Sequence, residues 1–342
     1  MYPAHVRYVV EEPESPGDAL RIAASTLSKP VNAAILAGGA LAVLIVAAGY
    51  LQVRPFRRDL AALRSTLESY RDLLPWLLRI SVGMPLVGAG FAGYYFSPVV
   101  TIQARLFLVG AGFLLLFGFA TRLVAALTLL AYLVVLPAEP DLLLANEYVG
   151  ALLAIVLLGS GRPSADHVFD RIANAPGTVY GRIDPVAGIA TTFRERIDPY
   201  RTSLPTLVRA TLGINFVYLG LFQKLLQPAW AIAVVEKYDL TAVVPVAPEL
   251  WVIGAGLAEM AVGLALLTGL FTRAAAGVAF TLFTLTLFAL PDDPVLAHLS
   301  LFGLVSVLIV TGGGPLSLDR RLFATADDDA TGSDRGRTSR AD

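Results

Sequence analysis

The chain has 342 residues, 56% of them hydrophobic and 15% charged, with a formal net charge of −1. Soluble domains carry roughly 25% charged residues, so this chain is unsuited to water, and its near-neutral balance excludes a nucleic-acid binder. It has no cysteine, which excludes disulfides, thiolate metal sites and any dithiol relay.

In chain order, residues 1–30 form a mixed polar segment. A secretory signal is not expected, because the charged leader is too long and no small-residue cleavage pattern follows the first apolar block. That block, 31–53, reads as a separate transmembrane helix. Residues 54–71 set Leu60, Leu63 and Leu67 at helical spacing among Arg54, Arg57, Arg58, Arg64 and Arg71. Such an amphipathic linker suits an anionic membrane surface and equally suits a solvated connection.

Four apolar blocks follow within 72–170, near 74–96, 102–120, 123–138 and 148–160. A polar linker spans 171–203. Four more blocks lie within 204–323, near 204–226, 250–270, 274–290 and 295–310, and the charged tail 324–342 reads as disordered. Each block approaches the roughly 20 residues that cross a hydrocarbon layer. Backbone in lipid must bond within its own segment, which makes these blocks helices. The expected fold is an all-α membrane protein of two tandem four-helix transmembrane bundles plus one extra N-terminal transmembrane helix.

Loop charge sets the expected orientation. With nine spans, the segments bearing Arg54, Arg57, Arg58 and Arg64, then Arg122, then Arg162 to Arg201, then Arg273, then Arg320 and Arg321 fall on one side. The alternate loops carry Glu139 and Asp141 or Asp292 and Asp293. The expectation is a multi-pass cell-membrane protein with its N-terminus outside and its C-terminus cytoplasmic.

Self-similarity is visible along the chain. Leu78, Arg79, Gly83 and Gly90 correspond at one offset to Val208, Arg209, Gly213 and Gly220. Gly118 to Arg122 correspond to Gly269 to Arg273, and Gly159, Gly161, Ser164 and Asp166 to Gly312, Gly314, Ser317 and Asp319. Three matched punctuation points in the same order indicate a parallel duplication.

These residues resemble the DoxX family. The similarity lies in an arginine-glycine first helix, a second helix that carries Glu259 and ends in Gly269, Thr272 and Arg273, and a fourth ending in Gly312, Gly314, Ser317 and Asp319. It is closest in the second half, where Gly220 to Leu225 also fit. The resemblance implies compact four-helix membrane bundles and an association with membrane redox systems, with quinone as the implied small partner. The implied protein partner is a soluble or membrane redox enzyme that brings its own cofactor.

Ionisable groups inside lipid are costly and deserve a functional hypothesis. Lys224, Glu259 and His298 are expected to face one outward-opening polar pocket, with lysine or histidine bonding a carbonyl and glutamate exchanging a proton. Alternatively Lys224 and Arg209 snorkel to the interfaces and His298 bonds backbone at a helix start. Arg79, Arg209, Arg122, Arg273, Asp166 and Asp319 are expected to be structural or interfacial. The first half has Tyr94, Leu108 and Ala145 where the second has Lys224, Glu259 and His298, so function is expected in the second, although Glu147 opens the first half's fourth span. Three histidines, with His5 and His167 outside the spans, offer no haem pair. No metal site and no covalently bound cofactor are expected. A small-solute transporter or channel and a non-catalytic membrane scaffold are the competing classes.

Overall fold

The computed structural model describes residues 19–180 and 187–323, with helices throughout and no strand among the described residues. Most of the polar N-terminal segment and the whole tail read as disordered, 324–342, lie outside the described residues. Two helices open the described chain, α1 (Ala19–Leu27) and α2 (Pro30–Val53). Proline at the first helical position of α2 suits its start, and 24 residues reach about 36 Å, enough to span a bilayer. None of its residues is buried. A helix apolar all round with so little protein cover requires lipid as its solvent. Its neighbours include Phe271, whose ring lies 5.6 Å from that of Tyr50, and Gly254 of the second half, which lies beside Leu36.

The first half follows α3 (Arg57–Glu68) and comprises α4 (Leu74–Ala92), α5 (Arg105–Phe117), α6 (Thr121–Val135) and α7 (Glu147–Leu158). The stretch around the expected linker contains α8 (Ala165–Ala173) and α9 (Ala187–Ile197). The second half has α10 (Leu204–Tyr218), which continues as a π-helical segment Leu219–Leu225, then α12 (Pro248–Thr268), α13 (Thr272–Ala289) and α14 (Val295–Thr311). Between α10 and α12 lies an additional helix, α11 (Pro228–Lys237), in the stretch between the apolar blocks 204–226 and 250–270. Its Ala231 and Val235 pack with Val252 of α12 in a small satellite core.

Nine spans were expected, yet only five helical stretches among the described residues are long and apolar enough to cross by length alone. α5, α6, α7 and α14 are shorter. The 12 residues of α7 cover about 18 Å against the roughly 30 Å of a hydrocarbon core. Chain entering α7 instead forms a 3₁₀ segment, Pro140–Ala145, with Leu142 and Leu144 buried. Non-helical backbone is tolerated at depth where protein covers it, and the Leu142 carbonyl accepts a 2.6 Å bond from the buried Tyr132 hydroxyl.

Within each half the first helix packs most closely on the second, through glycines. A Cβ on Gly83 would lie 2.9 Å from the Gly112 carbonyl oxygen, and one on Gly213 2.8 Å from that of Gly263. Small residues let helix backbones approach this far in membranes. The halves meet crosswise, α4 on α14 and α10 on α7. At these crossings Gly303 faces Ser81 and Gly150 faces Thr211. A single hydrophobic core runs through both halves.

The arginine-rich end is built from matching contacts. Arg79, 1% exposed, donates to the carbonyls of Ser160 at 2.6 Å, Pro163 at 2.8 Å and Leu116 at 3.4 Å. Arg209, 3% exposed, donates to Leu267 at 3.1 Å, Leu266 at 3.4 Å and Leu316 at 3.0 Å. Snorkelling, weighed for Arg209, is not what this side chain does; it satisfies carbonyls left over where helices end. Gly118 and Gly269 have φ of 69° and 70°, and a Cβ on either would strike the guanidinium of Arg79 or Arg209. Only glycine suits both demands.

Asp166 accepts from the backbone N–H groups of Ala120 at 2.6 Å and Thr121 at 3.0 Å. Asp319 likewise accepts from Phe271 at 2.6 Å and Thr272 at 2.7 Å. Each carboxylate so caps the start of the third helix of its half, where anions are favoured. Arg122 and Arg273 bridge to the fourth helices, each Nε lying 3.0 Å from a carbonyl, that of Val156 or Ile309. Arg273 also meets Glu68 of α3 at 3.4 Å, and Arg54 bonds the Leu322 carbonyl at 3.2 Å. The linker after α2 and the end of the second half therefore share one end of the molecule.

Candidate functional site

The polar set expected in the second half is brought together only in part. Lys224 stands in the π-helical segment that ends the first helix of this half, and Glu259 stands midway along α12. The Lys224 Nζ lies 2.8 Å from both Glu259 carboxylate oxygens, and each side chain remains 19% exposed. π-helical turns are rare and recur at functional sites. Here the turn carries a cation to a carboxylate set among apolar residues, and the bidentate contact answers much of the cost of placing charge there.

His298 is tied to the loop before α14. Its Nε2 lies 3.4 Å from Asp293 Oδ2, and its Nδ1 lies 3.4 Å from the Pro294 carbonyl. Both side chains of the His298–Asp293 pair are 6% exposed. Burial pushes the Asp293 carboxyl up against the opposing pull of His298. The neighbouring Asp292 faces outward and accepts from Lys237 Nζ at 2.9 Å and from the Tyr238 hydroxyl at 2.8 Å, clasping α11 to this loop.

Those two hydrogen bonds hold the Asp292 carboxyl below the usual carboxylate range and raise Lys237. A lowered carboxylate contributes above its unfolded value and loses that contribution as pH falls through the folded one, while a raised lysine loses its own only as pH rises through its folded value. The clasp is therefore closed across neutral pH. Asp292→Asn at neutral pH, or acidification of the unmodified protein, is expected to lower the amide protection factors of residues 237–240, each taken against the intrinsic exchange rate at the same pH. Equal protection in all three cases would show that the clasp holds nothing.

In the first half the corresponding space is filled by rings and aliphatics. Leu108 and Ala145 are buried, and Phe96 stands 5.0 Å from the ring of Tyr148 and 5.2 Å from that of Tyr132. Sequence reasoning noticed Glu147 but gave it no role, and it overlooked Asn215. Both are buried, and they meet where the halves join: Asn215 Nδ2 lies 3.4 Å from Glu147 Oε2, and the Ser300 hydroxyl lies 3.3 Å from Oε1. A lone asparagine within an apolar block was the available signal.

The sequence pattern of the DoxX family matches residues 204–292. The match covers α10 to α13 and shows one copy, where two were expected. No curated protein and no solved structure matches the chain. Sequence, helices and family match together describe an all-α, multi-pass membrane protein whose second half is similar to the DoxX family over residues 204–292.

Proposed function

We propose that this chain is a membrane subunit of a redox assembly, built from two DoxX-like copies, whose second copy holds the polar head of a quinone at Lys224 and Glu259. The observation that carries this reading is the Lys224–Glu259 pair, a two-point contact left 19% exposed, with Glu259 in an apolar stretch of α12. Glu259 spends both oxygens on Lys224, whose ammonium has a third proton to offer a carbonyl. Gln223, 2% exposed, keeps a buried Nε2 donor without a partner, which is the kind of group that an acceptor head satisfies. Electrons would come from a partner enzyme with its own cofactor; what this chain supplies is a hydrogen-bond donor at Lys224 and a proton-exchanging carboxyl at Glu259.

Two copies are supported by the matching contacts that Arg79, Arg122 and Asp166 make in the first half and Arg209, Arg273 and Asp319 make in the second, in the same chain order, although the family pattern matches only one half. The arginine-rich end is assigned to the cytoplasm on loop charge. A solute conduit is less well supported. Toward the arginine-rich end α10 and α12 close on each other at Gly213 and Gly263, leaving no room for a Cβ.

The test is equilibrium binding of a radiolabelled short-tailed quinone analogue to purified protein in lipid vesicles. Saturable binding that weakens about tenfold in Lys224→Met, the loss expected for one strong charge-assisted bond, supports the reading. No saturable binding, or binding that Lys224→Met leaves untouched, sinks it.

A further inference from the structure

The seam between the halves holds a second, separate set of polar groups. Glu147 is 3% exposed, and its carboxylate meets only neutral side-chain donors, Asn215 Nδ2 at 3.4 Å and Ser300 Oγ at 3.3 Å. No lysine, arginine or histidine forms an ion pair with it among the described residues. Asn215 also reaches Asn146 Oδ1 at 3.5 Å, and its own Oδ1 is buried without a partner. Asn146, Asn215, Glu147 and Ser300 thus form one uncharged-donor chain around a single carboxyl.

Beside this chain lies an open cavity of about 210 Å³, lined by Leu143, Asn146, Val149, Thr211, Ile214 and Tyr218. It opens on the outer face of the bundle between α7 and α10, where Ile214 is 56% exposed. The Thr211 hydroxyl is spent on the Leu207 carbonyl and packs against Gly150. Asn146 donates one amide proton to the Leu143 carbonyl and keeps another. The lining has the composition of a small-molecule site, apolar walls with few polar groups, and is smaller than the roughly 300 Å³ at which drug-sized pockets begin.

We propose that this cleft binds the uncharged, hydroxyl- or carbonyl-bearing end of a bilayer-soluble molecule, with Asn146 bonding the head and Asn215 and Glu147 supporting it from behind. An uncharged head follows from the lining, which holds no lysine, arginine or histidine to pair with an anionic head and no aspartate or glutamate to pair with a cationic one. A charged head of either sign would have to be desolvated among Leu143, Val149 and Ile214 without a counter-ion. The site is distinct from Lys224 and Glu259 and stands whether or not they bind a quinone.

The full chain in phosphatidylcholine nanodiscs, photolabelled with a diazirine-bearing long-chain alcohol and with the matched carboxylic acid, tests this. The alcohol is expected to label residues 143–149 and 211–218 well above α2, none of whose residues is buried, and the ionised acid to show no such enrichment. Asn146→Leu removes the head-group bond and is expected to lower enriched labelling about threefold to tenfold. Ile214→Trp fills the cleft from an exposed position, so it keeps the test decisive even if the first variant folds poorly. Labelling no greater than on α2, equal enrichment with alcohol and ionised acid, or enrichment unchanged in Ile214→Trp overturns the proposal.

Discussion

Arg209→Met is expected to destabilise the folded protein by about 3 to 5 kcal/mol, read as a large drop in its thermal midpoint in mild detergent. Methionine keeps much of the volume and removes every donor. Three carbonyls, those of Leu266, Leu267 and Leu316, then lose a charged partner at a position where Arg209 is only 3% exposed. A hydrogen bond to a charged group contributes about 1.5 to 3 kcal/mol, and a buried acceptor left without one bears a desolvation cost. The sum is held below three full bonds because two of the distances exceed 3.0 Å and water can enter at the helix ends.

Arg209→Lys is expected to restore less than half of the loss. A single ammonium lacks the planar fork that reaches α12 and the turn at Leu316 together. Arg79→Met should match Arg209→Met, since its guanidinium bridges Leu116 to Ser160 and Pro163 in the same manner. A loss under about 1 kcal/mol in either variant would return these arginines to the solvated interfacial role weighed for them from sequence, the range of surface groups.

How far such a clamp is legible in sequence depends on which link is asked about. Helix positions follow from apolar blocks, because lipid forces each block to satisfy its own backbone, and their ends follow from Gly118, Gly269 and the residues after them. The destination of an arginine near a helix end does not follow. Whether Arg209 reaches water or a neighbouring carbonyl depends on where α12 and the turn at Leu316 converge, and that is decided by tertiary packing. α11 was missed for another reason. Its apolar stripe, Ala231, Val234 and Val235, occupies barely two turns and acquires meaning only beside Val252. Glu147 and Asn215 show the same limit at the seam, since each is a single polar residue whose partner stands on a different helix in the other half. The span count, in turn, is not reproduced by helix length alone, because α7 is supplemented by a covered 3₁₀ segment that no apolar window distinguishes from α-helix.

The second large effect belongs to the Lys224–Glu259 pair and comes from a double-mutant cycle. Lys224→Met leaves a carboxylate among apolar side chains without its cation, and is expected to cost about 2 kcal/mol. That is below the 3 to 5 kcal/mol seen when fully buried pairs are broken, because both side chains keep 19% exposure and water partly screens the orphan. Glu259→Met alone should cost a similar amount. The double variant Lys224→Met with Glu259→Met is expected to regain most of the loss, since two apolar chains of similar volume replace a pair whose desolvation nearly offsets its attraction. A coupling of about 3 kcal/mol in thermal or denaturant unfolding would measure the contact, and strict additivity would show that the two groups act apart. The recovered double variant also separates stability from ligand binding. If it folds as well as the unmodified chain yet fails to bind the quinone analogue, the pair is kept for its polarity; if it folds and binds equally well, the pair is packing, and the head group sits elsewhere.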